Sequence, residues 1–277
     1  MLETSQAIEG LLVARDPRGM AQVRSHLEPG YCLRAAQALL EAQGNILVCT
    51  GFPVAGTFET DGPPGALALC DFLEQQGKNP WLMGGDAVME AFGQLYRHRT
   101  LSQFDMEAAR EDATALLAEL NPSLIVVIER PGAADDGRFY NIAGRDITDE
   151  CRPVEPLLQL ASCPVLAIGD GGNEAGMGKA GEVLKQLNIR PAVIGCDELI
   201  VADVSNWGAY ALIAMAQALL GEPVLSTLDA DQLLSQCIAR GAVDGVSHQP
   251  VPTEDGFDAE VGLNVIHQIK QVLQRGQ

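Results

Sequence analysis

Positive charge is scarce in this sequence. Lys and Arg number 18 against 37 Asp and Glu, a formal net charge of −19 over 277 residues. Such a field repels phosphates and anionic headgroups, which excludes a basic nucleic-acid face and docking to an anionic membrane surface. A small anion held by a local cluster stays possible, and divalent cations are favoured. The seven cysteines (32, 49, 70, 151, 163, 196 and 237) are scattered and never form a CxxC pair. That argues against a disulfide frame or a zinc knuckle, and for buried thiols in a reducing compartment, most simply the cytoplasm. The four histidines fall in no HExxH or Ser-His-Asp pattern, so nucleophilic catalysis has little support. No apolar run approaches the ~20 residues that span a bilayer. The opening MLETSQAIEGLLVARD does not read as a targeting segment.

Hydrophobic residues are plentiful, at 47%, enough for a substantial core. Short apolar runs at 45–50, 80–84, 123–129, 163–169 and 198–203 read as buried strands. Helical patterns lie between and after them, at 30–43, 63–77, 86–98, 105–120, 178–188, 206–220, 229–240 and 259–274. Continuous apolar strands alternating with helices predict an α/β fold. Its central sheet, mostly parallel or mixed, is flanked by helices on both faces. A single domain over 1–277 is expected, with 242–277 as a loop-plus-helix extension.

Most of the predicted strands run into a polar or Gly-rich turn: Thr50-Gly51-Phe52-Pro53, Gly84-Gly85-Asp86, Glu129-Arg130-Pro131-Gly132, Asp170 to Glu174, and Asp203 to Asn206. Ligands of open α/β sheets bind outside the carboxyl ends of strands, so these turns are expected to converge on one acidic pocket. The richest is IGDGGNEAGMGK at 168–179, with five glycines in ten residues. Such density lets backbone turn tightly or approach a ligand. Asp170, Glu174 and Asn173 are hard oxygen donors, and with Asp203 they suit Mg²⁺ or Mn²⁺ better than zinc. Lys179, at the opening of the next helix, suits a carboxylate. The GxGxxG at 176–181 starts eight residues after Ile168, and a Walker A pattern fails at Asn173 and Ala180, so neither NAD nor ATP is expected.

Glu59 and Asp61, before a Pro-led helix start, bring two more carboxylates, and the 51–58 loop with Phe52 and Phe58 reads as a lid. Arg130, Arg138 and Arg145 cluster in sixteen residues, and arginine binds carboxylates bidentately. Ser205 or Asn206 is placed to cap the helix near Trp207.

These segments carry a resemblance. Thr50 to Pro53, ETDGPPGA at 59–66, ERPG at 129–132, GRDIT at 144–148, IGDGGNEAGMGK and ADVSNWGAYAL at 202–212 resemble, in order, the C-terminal domain of the D-glutamate cyclases. The resemblance implies a lyase that converts D-glutamate to 5-oxo-D-proline and water. On residue type, Asp170, Glu174, Glu129 and Asp61 are the catalytic candidates. Asp170, Glu174 and Asp203 are the metal candidates. Thr50, Gly51, Glu59, Arg130, Arg145, Gly171, Gly172, Asn173, Lys179 and Asn206 are the candidates for substrate contact. The expected partner is a small acidic amino acid, with a homodimer plausible on base rates. The same strand-end acids would also serve a metal-dependent hydrolase or a binding domain without turnover.

Overall fold

The protein is described by a computed structural model over residues 1–275. Helices α1 (Leu2–Leu12), α2 (Met20–His26) and α3 (Tyr31–Glu41) precede strand β1 (Asn45–Thr50). A hairpin of β2 (Pro53–Val54) and β3 (Thr57–Phe58) leads to α4 (Pro63–Gln75), β4 (Asn79–Gly84), α5 (Asp86–Phe92), β5 (Arg97–Thr100), α6 (Met106–Leu120) and β6 (Leu124–Ile128). Then come α7 (Glu155–Leu160), β7 (Val165–Gly169), β8 (Glu198–Val201), α8 (Ser205–Leu220), α9 (Ala230–Ala239), a second hairpin of β9 (Thr253–Glu254) and β10 (Phe257–Asp258), and α10 (Ala259–Arg275).

Six strands form one parallel sheet in the order β5-β4-β1-β6-β7-β8. The chain winds outward from β1 to β5, returns to the other side of β1, and winds outward again to β8. The direction reverses between β1 and β6, and that switch point opens a crevice at the carboxyl ends of the strands. Side chains alternate across the pleat. Ile46, Val48, Leu124 and Val126 join the core shared with α1, α3, α4, α8 and α10, whereas Leu47, Cys49, Ile125 and Val127 pack with α6 and α7. Helices therefore cover both faces, as the sequence pattern predicts. Helix α8 is buried along thirteen of its sixteen residues, which explains its nearly uniform apolar composition.

Several expectations are corrected. The helix expected over 86–98 stops at Phe92, and Arg97–Thr100 forms the edge strand β5. Its RHRT sequence is polar because it lies at the sheet margin, where charge blunts edge pairing. The helix expected over 178–188 is a 3₁₀ stretch, Gly178–Gln186, broken at Gly181 (φ 63°, ψ −134°). The 51–58 loop is the β2–β3 hairpin, with Phe58 packed edge-on against Phe92 and Phe52 buried beside Phe139. Both rings are already packed against neighbours, and Phe52 also borders a cavity. Residues 242–258 are woven into the fold: Val243 exchanges backbone hydrogen bonds with Phe58 and Thr60. Among the described residues, no helix is long and apolar enough to cross a membrane.

Candidate functional site

The crevice between β1 and β6 holds a concentration of buried acids. Glu59, Asp61, Glu129, Asp170 and Glu174 are each at most 6% exposed. Asp255, from the β9–β10 turn, joins them, and Arg18, from the α1–α2 connection, donates from Nη1 to both Asp170 (2.6 Å) and Asp255 (2.6 Å). A small cavity of about 60 Å³, open to solvent, lies against this cluster. Arg18, Glu59, Glu129, Glu174 and Asp255 line it, with Phe52, Asn173, Ile142, Arg145 and His248 around its mouth. Two larger cavities lie elsewhere, between α4, α8 and α9 and beneath the β2–β3 hairpin. Neither gathers this set of buried acids.

Local structure explains why the acids face one another. Glu129 ends β6 in a left-handed conformation (φ 46°), a strained setting for a non-glycine residue that persists only where its surroundings enforce it. Ser205 Oγ donates to its Oε2 at 2.6 Å. Asp61 caps α8 from a distance, its carboxylate accepting from the Ser205 and Asn206 amides (2.7 Å each). That corrects the local cap expected from Ser205 or Asn206. Asn206 serves α4 instead: its Oδ1 accepts from Gly62 N (3.0 Å) and Gly65 N (2.8 Å), and its Nδ2 donates to Glu254. Two helix N-termini are thus closed by each other's loops, which fixes Asp61 on the floor of the site. Gly62 has φ 95°, and a Cβ there would lie 2.6 Å from Glu129 Cβ and 2.8 Å from Thr50 Oγ1. Only glycine allows the two strand ends to close up at this corner.

Burial pushes the carboxyls of Glu59, Glu129 and Asp170 well above the usual range, reinforced by their mutual repulsion; for Asp170 the nearby Arg18 guanidinium opposes the rise. Asp61 is raised to about 8 by burial and by Asp255. Glu174 is raised by burial, though the Gly172 amide and Arg18 hold it back. A carboxyl held near 8, as at Asp61, exchanges protons close to neutrality.

The expected residues divide clearly. Asp61, Glu129 and Asp170 bring carboxylate oxygens within 4.8 Å of one another, a set able to hold a cation. Glu174 lies beside them but clasps its own loop, accepting from Gly171 N (2.9 Å) and Gly172 N (2.7 Å). The Gly171 and Gly172 amides are thereby used. Asp203 leaves the expected metal set: its carboxylate accepts from Arg15 N (2.8 Å) and Asp16 N (3.1 Å), so it anchors the segment that delivers Arg18. Arg130 is turned away from the acids. It lines the cavity under the hairpin and donates to Gly51 O (2.8 Å) and to the Arg152 carbonyl, so it shapes the Thr50-Gly51 turn. Lys179 lies outside the cavity and donates to Asp197 O (2.5 Å). Arg145 stands at the mouth, paired with Glu150 at 2.9 Å. Asn173 donates to Tyr140 O, while its Oδ1 is buried without a partner among the described residues. Arg18, Asp255 and Glu254 sit in no strand-end motif. The only signal for them was the turn-forming company they keep, Asp16-Pro17 and Gly256.

The profile of the family described as D-glutamate cyclase-like, C-terminal, matches residues 10–270. The chain belongs to that family. It is 30% identical over 267 residues to the human protein named D-glutamate cyclase, mitochondrial, in an alignment that covers 86% of this chain. It spans only 42% of that relative's length. Among solved structures, an exopolyphosphatase-related protein from Bacteroides fragilis superposes with a TM-score of 0.45 at 13% identity, over 89% of this chain and 59% of that one. A likeness that distant carries no argument about function.

Proposed function

We propose that the chain is a lyase that closes D-glutamate to 5-oxo-D-proline with loss of water. In that reaction the amine attacks the γ-carboxyl carbon, a C–N bond forms and a C–O bond breaks. The substrate nitrogen gives up two protons, and both leave on the departing oxygen as water. The enzyme's task is therefore to hold an extended dicarboxylate folded on itself and to carry protons from nitrogen to oxygen.

Family membership supports the reaction class. The observation that carries the assignment of roles is a carboxyl beside a guanidinium: Glu59 and Arg18 line the same cavity. Glu59 has its proton affinity raised by burial first and by Asp255 and Asp61 next. Raised proton affinity makes this carboxyl a stronger base toward the amine, and the proton it takes can pass to the leaving oxygen. Arg18 spends one nitrogen on Asp170 and Asp255, and in this reading the rest of its planar fork receives the substrate α-carboxylate. The surrounding acids draw in the ammonium group.

The test is product formation from D- and L-glutamate, followed by chiral chromatography of 5-oxoproline. The D isomer alone is expected to react. Glu59→Gln, which keeps size but ends proton exchange, is expected to lower kcat by at least ~100-fold, in line with loss of general acid–base catalysis. Product from neither isomer would overturn the reaction, and full turnover by Glu59→Gln would overturn the role of Glu59.

A further inference from the structure

We infer that Asp61, Glu129 and Asp170 form a binding site for one divalent hard cation of the Mg²⁺, Mn²⁺ or Ca²⁺ class. Their oxygens lie within 4.8 Å of one another and all three residues are buried. The donors are carboxylate oxygens, with no nitrogen or sulfur, which selects hard cations over zinc or copper. A metal–oxygen bond of roughly 2.1–2.6 Å places two ligands on opposite sides of an ion about 4–5 Å apart, so the spread is the size such an ion spans.

Two buried oxygens in this region lack a hydrogen-bond partner among the described residues. Asp170 gives Oδ1 to Arg18, while its Oδ2 is fully buried and has no hydrogen-bond partner among the described residues. Thr50 Oγ1 is also buried and without a partner, at the Gly62 corner beside Glu129. A buried carboxylate oxygen or hydroxyl left in this way is costly, and a bound cation removes that cost for the carboxylate. Charge adds a reason that rests on the cyclase reading. Six carboxylates gather around Arg18, and Arg145 at the mouth is already paired with Glu150, so a substrate with two carboxylates of its own enters such a site more readily when added positive charge compensates them.

Mn²⁺ titration of the 277-residue chain, followed by electron paramagnetic resonance in 150 mM salt, tests the site. One Mn²⁺ per chain is expected, displaced by Mg²⁺ or Ca²⁺. Asp170→Asn and Glu129→Gln should each weaken binding by about 10-fold or more, whereas Asp149→Asn on the exposed surface should leave it unchanged. Anomalous diffraction from Mn²⁺-soaked wild-type crystals gives a readout that needs no variant, with the peak expected among the three carboxylates. No stoichiometric Mn²⁺, or a peak elsewhere, would overturn the inference. Mn²⁺ binding without 5-oxoproline formation would keep the site and remove the cyclase reading. Product that persists after chelation, with no Mn²⁺ bound, would do the reverse.

Discussion

Glu254 is buried, and its two oxygens accept from Asn206 Nδ2 (2.7 Å) and Trp207 Nε1 (3.1 Å). Burial raises its carboxyl from the ordinary 4.5 to about 7 despite those bonds. Between the two values the folded chain keeps a proton that the unfolded chain has released. Glu254 therefore costs nothing below pH 4.5, and the chain loses stability as pH climbs through 7. At 1.36 kcal/mol per unit, the full loss is about 3 kcal/mol, most of it falling between pH 5 and pH 8. Glu254→Gln removes the titration at constant shape. Its amide has one acceptor for two donors, so the variant is expected to be about 1–2 kcal/mol less stable than wild type at pH 5. By pH 8 the order should reverse, with a total swing of about 2–3 kcal/mol. Urea unfolding of both proteins at pH 5, 6, 7 and 8, read by circular dichroism, measures this difference, and the other buried carboxyls cancel in it because both proteins share them. A difference that stays constant to within about 0.5 kcal/mol across the series would refute the argument.

Two other substitutions probe the scaffold around the acids. Gly62→Ala forces a Cβ within 2.6 Å of Glu129 Cβ at a φ of 95°. It should destabilise the chain by about 2–4 kcal/mol, seen as a fall in Tm of roughly 5–10 °C. Asp203→Ala removes the acceptor for the Arg15 and Asp16 amides. The 13–19 segment should become sensitive to limited proteolysis, and KM for D-glutamate should rise more than kcat falls; an unchanged cleavage pattern and KM would show that Asp203 does not position Arg18.

Five of the six sheet strands were legible because each is a short apolar run closed by glycine or a polar turn, and burial on both faces leaves little else they can be; the polar edge strand β5 carries no such signal. Thr50, Glu129 and Asp170 were legible for the same reason, since they sit where those runs stop. The order of the strands was not, because it depends on which helices pack together. Consequently the role of β1 and β6 as neighbours at the switch point emerges only in three dimensions. Asp203 and Arg130 follow strands just as Asp170 and Glu129 do, and sequence position cannot distinguish them. What separates them is direction: Asp203 meets the free amides of residues 15 and 16, and Arg130 meets the carbonyl of Gly51. Arg18 was invisible because it reaches Asp170 across 152 residues from a turn with no motif around it.

That long reach has an energetic consequence. The site's buried guanidinium comes from the beginning of the chain and one of its two carboxylate partners from near the end, so the acids of the sheet are clasped by segments outside it. The side chains of Arg18 and Asp255 are 17% and 5% exposed, too covered for the near-zero value of a surface pair. Yet the two single substitutions are not equivalent. Asp255→Asn leaves Arg18 bonded to Asp170, so a charge is removed and none is orphaned. Arg18→Gln strips the cation from both Asp170 and Asp255 in the presence of Glu59 and Glu129, and buried charges without a partner are costly. With metal chelated, Arg18→Gln should therefore destabilise the chain more than Asp255→Asn, by about 2 kcal/mol or more, and the double substitution should fall short of the sum of the two by about 1–3 kcal/mol. Equal single effects that simply add would mean that Arg18 is a solvated side chain resting near the acids, and the clasp would have no part in holding the site together.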